Sequence, residues 1–349
     1  MNNQPSYLIA TSLIKESFFA PLVTGMIALL VTWFLTPYIQ KFALLKGAVD
    51  DPFRDERRMH QKLMPKWGGL AIYPGILFSF IIALFVFFPK NTFPSYLISI
   101  LVIGALVMIM GSLDDIYHFP AKVQALFLIL IGFAVQYFSG PDYPLQIKGV
   151  EFPLFFTAVK SNVWISFHWL SWPLTALYIF VVTKTMDTID GLDGLSAGIA
   201  AIAAITFSVL AIMGVQPQIA ILAAAIGGST IGFLKYNFNP AKIFIGTGGS
   251  QLLGFMLACM SIIGAFRSAT ALAIVVPFFV FGIPLFDALF VITKRLLAGQ
   301  PVTQGDKRHI HHTLIDFGLS QRQAVIILYL ITLILCTSLL VLVVSFYQR

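Results

Sequence analysis

Charge is what this chain has least of. Charged residues fill 11% of its 349 positions, where a soluble globular domain carries about 25%. Hydrophobic residues make up 58%, and the mean hydropathy is +0.89. The deficit excludes an ordinary soluble fold. It implies an all-α polytopic membrane protein, read as one integral-membrane domain over residues 1–349. Cysteine is nearly absent. Cys259 and Cys336 both sit inside apolar runs, which excludes a disulfide framework or a thiolate zinc site and leaves buried small hydrophobes. Acids are scarcer than bases, 15 against 22, for a net charge of +7. That excess does not call for nucleic acid, because basic cytoplasmic loops produce it in any polytopic protein. The opening MNNQPSYLIATSLIKE has no short apolar core followed by a small-residue cleavage site, so no cleaved signal peptide is expected. Internal repeats and low-complexity tracts are also missing.

Long apolar runs are what the chain has instead. About ten segments approach the roughly 20 residues that a span requires. They cover roughly 19–40, 70–88, 95–112, 122–138, 168–186, 195–213, 217–235, 250–266, 270–293 and 323–346. Lys and Arg concentrate in one set of alternate loops, including Lys41, Lys62, Lys66, Lys122, Lys184, Lys242 and Arg308. That set is expected to face the cytoplasm, with both termini outside. The same sorting puts Asp114, Asp115, Asp187, Asp190, Asp193, His309, His311 and His312 on the cytoplasmic side. The external stretch 139–167 alternates in character, as in YPLQIKGVEF, and predicts a small hairpin.

The scarce acids are clustered. MDTIDGLDGL sets Asp187, Asp190 and Asp193 three residues apart at the mouth of a span, a costly arrangement unless a cation meets them. On a helix Asp187 and Asp190 converge and Asp193 lies further round. Gly191 and Gly194 let the backbone come close to a ligand. Lys184, a turn earlier, is placed to pair with Asp187 or to meet a phosphate. In GSLDDIYHF, adjacent Asp114 and Asp115 repel, and a hard cation such as Mg²⁺ relieves this while keeping phosphate partners. DKRHIHHTL gathers Arg308, His309, His311 and His312 into a cationic cluster suited to a diphosphate or a sugar. Zinc is disfavoured by the neighbouring oxygen ligands.

NPAKIFIGTGGSQLLGF runs a glycine-rich turn into a helix at Ser250, whose free N–H groups can receive phosphate oxygens. No Gly-Lys-Ser/Thr follows, so it is not a Walker loop. HQKLMPKWGG brings Lys62 and Lys66 to the level of a lipid phosphate. His118 and His168 lack such company and read as structural. Asp287, near the cytoplasmic end of the ninth span, reads as a helix-pairing or rim residue. Each motif alone also fits a plainer role, as solvated helix ends, caps or basic anchors. Their assembly on one membrane face favours a site.

In this order the five motifs resemble the polyprenyl-phosphate N-acetylhexosamine-1-phosphate transferase family, of the glycosyltransferase family 4 type, over roughly residues 41 to 325. HxxxxPxxGG, LDD, DGLDGL, NPAKIFxG and HIHH carry the likeness. It implies transfer of a sugar-1-phosphate from a UDP-sugar to a lipid phosphate such as undecaprenyl phosphate. Mg²⁺ (or Mn²⁺) assists, UMP leaves, and the site faces the cytoplasm of a bacterial inner membrane. Partners are then the bilayer and the two substrates, with no nucleic acid, and a homodimer is compatible. The implied catalytic set is Asp114, Asp115 and Asp190, and the implied metal ligands are Asp187 and Asp190. Lys62, Lys66, Lys122, Lys184, Asp193, Arg308, His309, His311 and His312 are the implied substrate contacts. PKWGG and HIHH look like the N-acetylglucosamine-1-phosphate branch, with the muramoyl-pentapeptide branch as runner-up.

Three positions depart from the family pattern, which has Asn at 184 and 187 and Asp at 247. Here they are Lys184, Asp187 and Thr247. One acid lost and one gained suggests that Asp187 supplies the missing carboxylate from another loop. A degenerate lipid-phosphate binder is the competing class, and Thr247 is its best argument. A transporter would place its acids at mid-span, whereas these sit at span ends.

Overall fold

The computed structural model describes residues 18–51, 63–88, 94–140, 145–153, 162–263, 276–297, 299 and 309–347. Its helices are α1 (Ala20–Lys46), α2 (Gly69–Phe87), α3 (Ser95–Tyr117), α4 (Ala121–Phe138), α5 (Ser171–Thr188) and α6 (Leu195–Met213), followed by α7 (Pro217–Asn237), α8 (Gly246–Ile263), α9 (Gly282–Leu297), α10 (Ile310–Asp316) and α11 (Gln321–Tyr347). Among the described residues, eight helices are long and apolar enough to cross a membrane: α1 to α4, α6 to α8, and α11. At 1.5 Å per residue, the 19 residues of α2 rise about 28 Å, close to a hydrocarbon thickness of about 30 Å.

About ten spans were expected, and eight meet this measure among the described residues. Two of the expected segments fall outside that count. α5 occupies the fifth predicted segment but carries Lys184 and Asp187 near its end. The ninth segment, expected over roughly 270–293, lies partly outside the described residues, and α9, of 16 residues, overlaps it.

Burial separates centre from periphery. In the most apolar stretch of α8, 83% of residues are buried inside the protein, against 22% for α1 and 28% each for α4 and α11. Lipid tails are as apolar as leucine, so close backbone approach has to hold such a centre together. Glycines provide it. A Cβ on Gly111 of α3 would lie 2.5 Å from the Cα of Gly248, and one on Gly69 of α2 would lie 2.6 Å from the Cα of Gly249. A Cβ on Gly254 would lie 2.8 Å from the Cα of Thr183 of α5. The start of α8 is thereby wedged among α2, α3 and α5.

Two small hairpins mark the ends of the bundle. β1 (Val49–Asp50) pairs antiparallel with β2 (Met64–Pro65). The chain then ties PKWGG to NPAKIFIG, because Phe244 N–H donates to Pro65 O (2.8 Å), Gly68 N–H to Phe244 O (3.1 Å) and Gly69 N–H to Ile245 O (3.1 Å). The hairpin expected within 139–167 is present as β3 (Gly149–Pro153) and β4 (Asn162–Ser166), with Gly149 opposite Ser166. It lies between the end of α4 and the start of α5, away from the ends of α3 and α5 that carry the acids. Beside it Trp169 is 76% exposed, as suits an aromatic belt at a membrane–water interface.

Candidate active site

At the end of the bundle where α3, α5 and α7 finish and α6 and α8 begin, a cleft of about 620 Å³ opens. Asp115, Asp187, Asp190 and Asp193 line it together with Asp50, Lys66, Thr247 and the three histidines of HIHH. Motifs far apart in sequence thus share one cavity. Among the described residues, five carboxylates face it with one lysine.

Asp187 occupies the last turn of α5, and its oxygens are heavily used. Oδ2 faces Lys184 Nζ at 2.6 Å and accepts from Gln251 Nε2 at 3.3 Å. Oδ1 accepts from Ser250 Oγ at 2.8 Å. Lys184 Nζ also donates to Gln124 Oε1 at 2.9 Å, and Gln124 Nε2 donates to Asp114 Oδ1 at 2.9 Å. Phe119 N–H donates to the same Asp114 oxygen at 2.8 Å. A continuous polar chain therefore joins α3, α4, α5 and the N-terminal part of α8. Asp114 sits at one end of it and does not line the cleft.

Asp115 is the opposite case. It is 3% exposed, and its Oδ1 accepts from Thr247 N–H at 3.2 Å with Lys66 Nζ 3.7 Å away. Its Oδ2 is buried without a hydrogen-bond partner. Lys66 is held on its other side by Asp50 at 3.1 Å. Gly246 is required here for two reasons. Its φ is +74°, and a Cβ would collide with Asp115 Oδ2. Asp190 follows in the turn after α5, partly buried. Burial first, then the charges of Asp187 and Asp115, push its carboxyl well above the usual carboxylate range, while Lys66 pulls it down.

The histidine wall begins at α10. His309 Nδ1 lies 2.6 Å from Asp287 Oδ2. A carboxylate only accepts, so the Nδ1 carries the proton and Nε2 remains for the cleft. Asp287 Oδ1 accepts the Ile310 N–H at 2.6 Å and fixes the start of α10. His311 stacks on His309 with ring centroids 5.5 Å apart. It is 1% exposed; burial, then His312 and His309, lower its pKa to about 3. It is thus neutral at physiological pH. A Cβ on Gly191 would collide with His311 Nε2, so that glycine admits the ring.

The remaining expected contacts divide. Asp193 lines the cleft, but its Oδ2 accepts from Asn239 Nδ2 (2.9 Å) and Ala241 N–H (3.0 Å), tying DGLDGL to NPAK. Lys184 meets Asp187 from outside the cleft wall, and exposed Lys122 at the start of α4 does not line it. Lys62 and Arg308 lie outside the described residues. The glycine-rich turn also differs from expectation. Its helix starts at Gly246 rather than Ser250. Its Thr247 N–H serves Asp115, and Gly248 and Gly249 are used in helix contact.

Sequence reading missed Asp50, Gln124 and Gln251, which carry no motif and join only through the fold. Among the described residues no group of three or more His, Cys, Asp or Glu side chains is placed to hold a metal ion. A smaller seat fits better. Mg²⁺ is often held by one or two carboxylates plus substrate phosphates, and the partnerless Asp115 Oδ2 beside Asp190 matches that description.

A polytopic helical protein with an acid- and histidine-lined cleft at one end of its bundle is the class that fold and site define. The chain belongs to glycosyl transferase family 4, in the undecaprenyl-phosphate N-acetylglucosaminyl 1-phosphate transferase branch. The family model matches residues 97–265. A Bacillus subtilis protein described as a probable undecaprenyl-phosphate N-acetylglucosaminyl 1-phosphate transferase is 36% identical over 331 residues, covering 95% of this chain and 87% of that one. The Mycolicibacterium smegmatis decaprenyl-phosphate N-acetylglucosaminephosphotransferase is 30% identical, over 88% of this chain and 78% of its own. The Escherichia coli K12 undecaprenyl-phosphate alpha-N-acetylglucosaminyl 1-phosphate transferase is 25% identical, over 89% and 80%. The protein is accordingly a membrane transferase.

Proposed function

We propose that this protein transfers N-acetylglucosamine-1-phosphate from a UDP-sugar to undecaprenyl phosphate or a similar polyprenyl phosphate, at the cytoplasmic face of a bacterial membrane. Its relatives' names supply the substrate class. The observation that carries the reading is the meeting of Asp115, Asp190, Lys66 and His309 in one cleft at a bundle end, where a membrane-held phosphate and a soluble nucleotide can both arrive.

In the balanced reaction an oxygen of the lipid phosphate attacks the sugar-bearing phosphorus of the UDP-sugar. A new P–O–P bond forms, the old one breaks, and UMP leaves with the former bridging oxygen. The obstacle is charge, because two anions must enter a cleft that, among the described residues, five carboxylates line with one lysine. Mg²⁺, or Mn²⁺, bound at Asp115 and Asp190 would neutralise phosphate charge and orient the two phosphates. Lys66, fixed by Asp50, offers an ammonium to the lipid phosphate. His309, oriented by Asp287, presents Nε2 to the diphosphate or the sugar. Asp114, tied to Phe119 and Gln124, stays behind the wall and holds the end of α3 in place.

The test is UMP release by purified protein with undecaprenyl phosphate and a panel of UDP-sugars, with Mg²⁺ and with a chelator. UMP release from UDP-N-acetylglucosamine that the chelator stops is the expected result. No release from any sugar defeats the proposal in favour of a degenerate phosphate binder.

A further inference from the structure

Two carboxylates of this cleft, Asp187 and Asp190, stand three residues apart, yet among the described residues only Asp187 has its oxygens occupied. We propose that the Lys184 ammonium is a resident cation of the site. It is held permanently against Asp187, so that Asp187 ligates no metal and a single divalent ion is left to Asp115 and Asp190. This deepens the transferase reading and rests on it only for the presence of a divalent seat.

Geometry carries the inference. Lys184 and Asp187 are i and i+3 near the end of α5, and Nζ to Oδ2 is 2.6 Å. The ammonium does not swing freely, because Gln124 Oε1 accepts from it at 2.9 Å. Gln124 is itself anchored on Asp114 Oδ1 at 2.9 Å. The other Asp187 oxygen is taken by Ser250 Oγ at 2.8 Å. An ion bound to Asp187 Oδ2 at about 2.1 Å would lie within about 5 Å of the ammonium, and the like charges would repel. The contrast with Asp115 is direct, since its Oδ2 is buried and accepts nothing. Lys184 also acts as a positioning residue. By holding Asp187 in place it orders Ser250 and Gln251 near the start of α8, whose Thr247 N–H holds Asp115.

Divalent binding, rather than turnover, tests this. Mn²⁺ is titrated into the detergent-purified full chain and free Mn²⁺ is read by electron paramagnetic resonance. The proteins compared are wild type, Asp187→Asn, Lys184→Met and the double variant. Wild type is expected to bind one ion, and Asp187→Asn to bind it within about threefold of the wild-type affinity. Lys184→Met uncovers a carboxylate beside two others and is expected to bind Mn²⁺ about tenfold more tightly or to take a second ion. The double variant is expected to return to wild-type behaviour. Loss of Mn²⁺ binding in Asp187→Asn overturns the proposal, as does unchanged binding in Lys184→Met. Should Lys184→Met fail to fold, Lys184→Gln is titrated under the same two criteria. UMP release assayed on the wild-type sample keeps the two readings apart, because a chain that releases no UMP can still show this pattern of Mn²⁺ binding.

Discussion

Asp187 and Asp115 line the same cleft and differ in how their oxygens are used. Asp187 meets three donors, Lys184, Ser250 and Gln251. Asp115, more deeply buried, has one backbone donor at 3.2 Å, a lysine at 3.7 Å and one oxygen with no hydrogen-bond partner. A buried acceptor left unsatisfied costs about 1–3 kcal/mol, more for a charged group. A fold that keeps one carboxylate saturated and another starved in the same cleft uses the first as structure. The second is kept for something that arrives.

The sharpest way to break that comparison is to neutralise the starved side. Asp115→Asn and Asp190→Asn are each expected to lower kcat for UMP release by about 10²–10⁴-fold, the range for a group engaged in the chemistry. Their thermal stability is expected to stay level or rise, because a poorly compensated buried charge is gone. A loss of melting temperature that tracks the loss of activity would put these acids in the structural class instead.

Asp187→Ala tests the saturated side. It strips an acceptor from Ser250 and Gln251 and leaves Lys184 without its counter-charge. Lys184 is about a third exposed, so the cost falls below that of a fully buried pair, at about 1–3 kcal/mol. Thermal or denaturant unfolding is expected to show it. An Asp187→Ala protein as stable as wild type would erase the distinction.

The location of these groups was visible in the chain, and the reason is physical. A membrane sequence makes every charge conspicuous, so acids and histidines at span ends mark a site by their scarcity alone. Asp115, Asp187, Asp190, His309 and His311 were found that way. Span positions were legible because hydrocarbon thickness fixes helix length. The use of each group was not legible. Glycines at 248 and 249 look the same whether they cradle a phosphate or admit a neighbouring helix, and only their contact with Gly111 and Gly69 separates the two. Asp193 carries the same motif as Asp190, yet its partners come from the distant NPAK turn. Gln124 and Gln251 lie within apolar helices, and their polar contacts exist only once α4 and α8 meet α5.

Gly191→Ala sharpens the comparison from the histidine wall. The added Cβ would collide with His311 Nε2, and a ring stacked on His309 and 1% exposed has little room to yield. Displacing it shifts groups that face the nucleotide sugar without touching Asp115. KM for the UDP-sugar is expected to rise about three- to tenfold, or about 1 kcal/mol, with a smaller change in kcat. A fall in kcat as large as that of Asp115→Asn would assign the histidine wall to the chemistry instead.

The smallest effect concerns pH. His311 has its folded pKa lowered to about 3 by burial and its histidine neighbours, against about 6.5 in an unfolded chain. Between those values the unfolded state binds the extra proton. Its contribution to stability is therefore complete above about pH 6.5 and is lost as pH falls towards 3. From pH 7.5 to 5.5 the loss amounts to about 1 kcal/mol. Asp190 runs the other way. Its raised pKa makes the folded state the better proton binder above the usual carboxylate value, so its contribution falls as pH rises. The raw stability profile mixes the two, but the difference between wild type and His311→Asn isolates the histidine. That difference, from unfolding midpoints across pH 5.5–7.5, is expected to shrink on acidification. A difference independent of pH would mean that His311 takes up its proton inside the fold, and that the wall beside Asp190 is charged rather than neutral when substrate arrives.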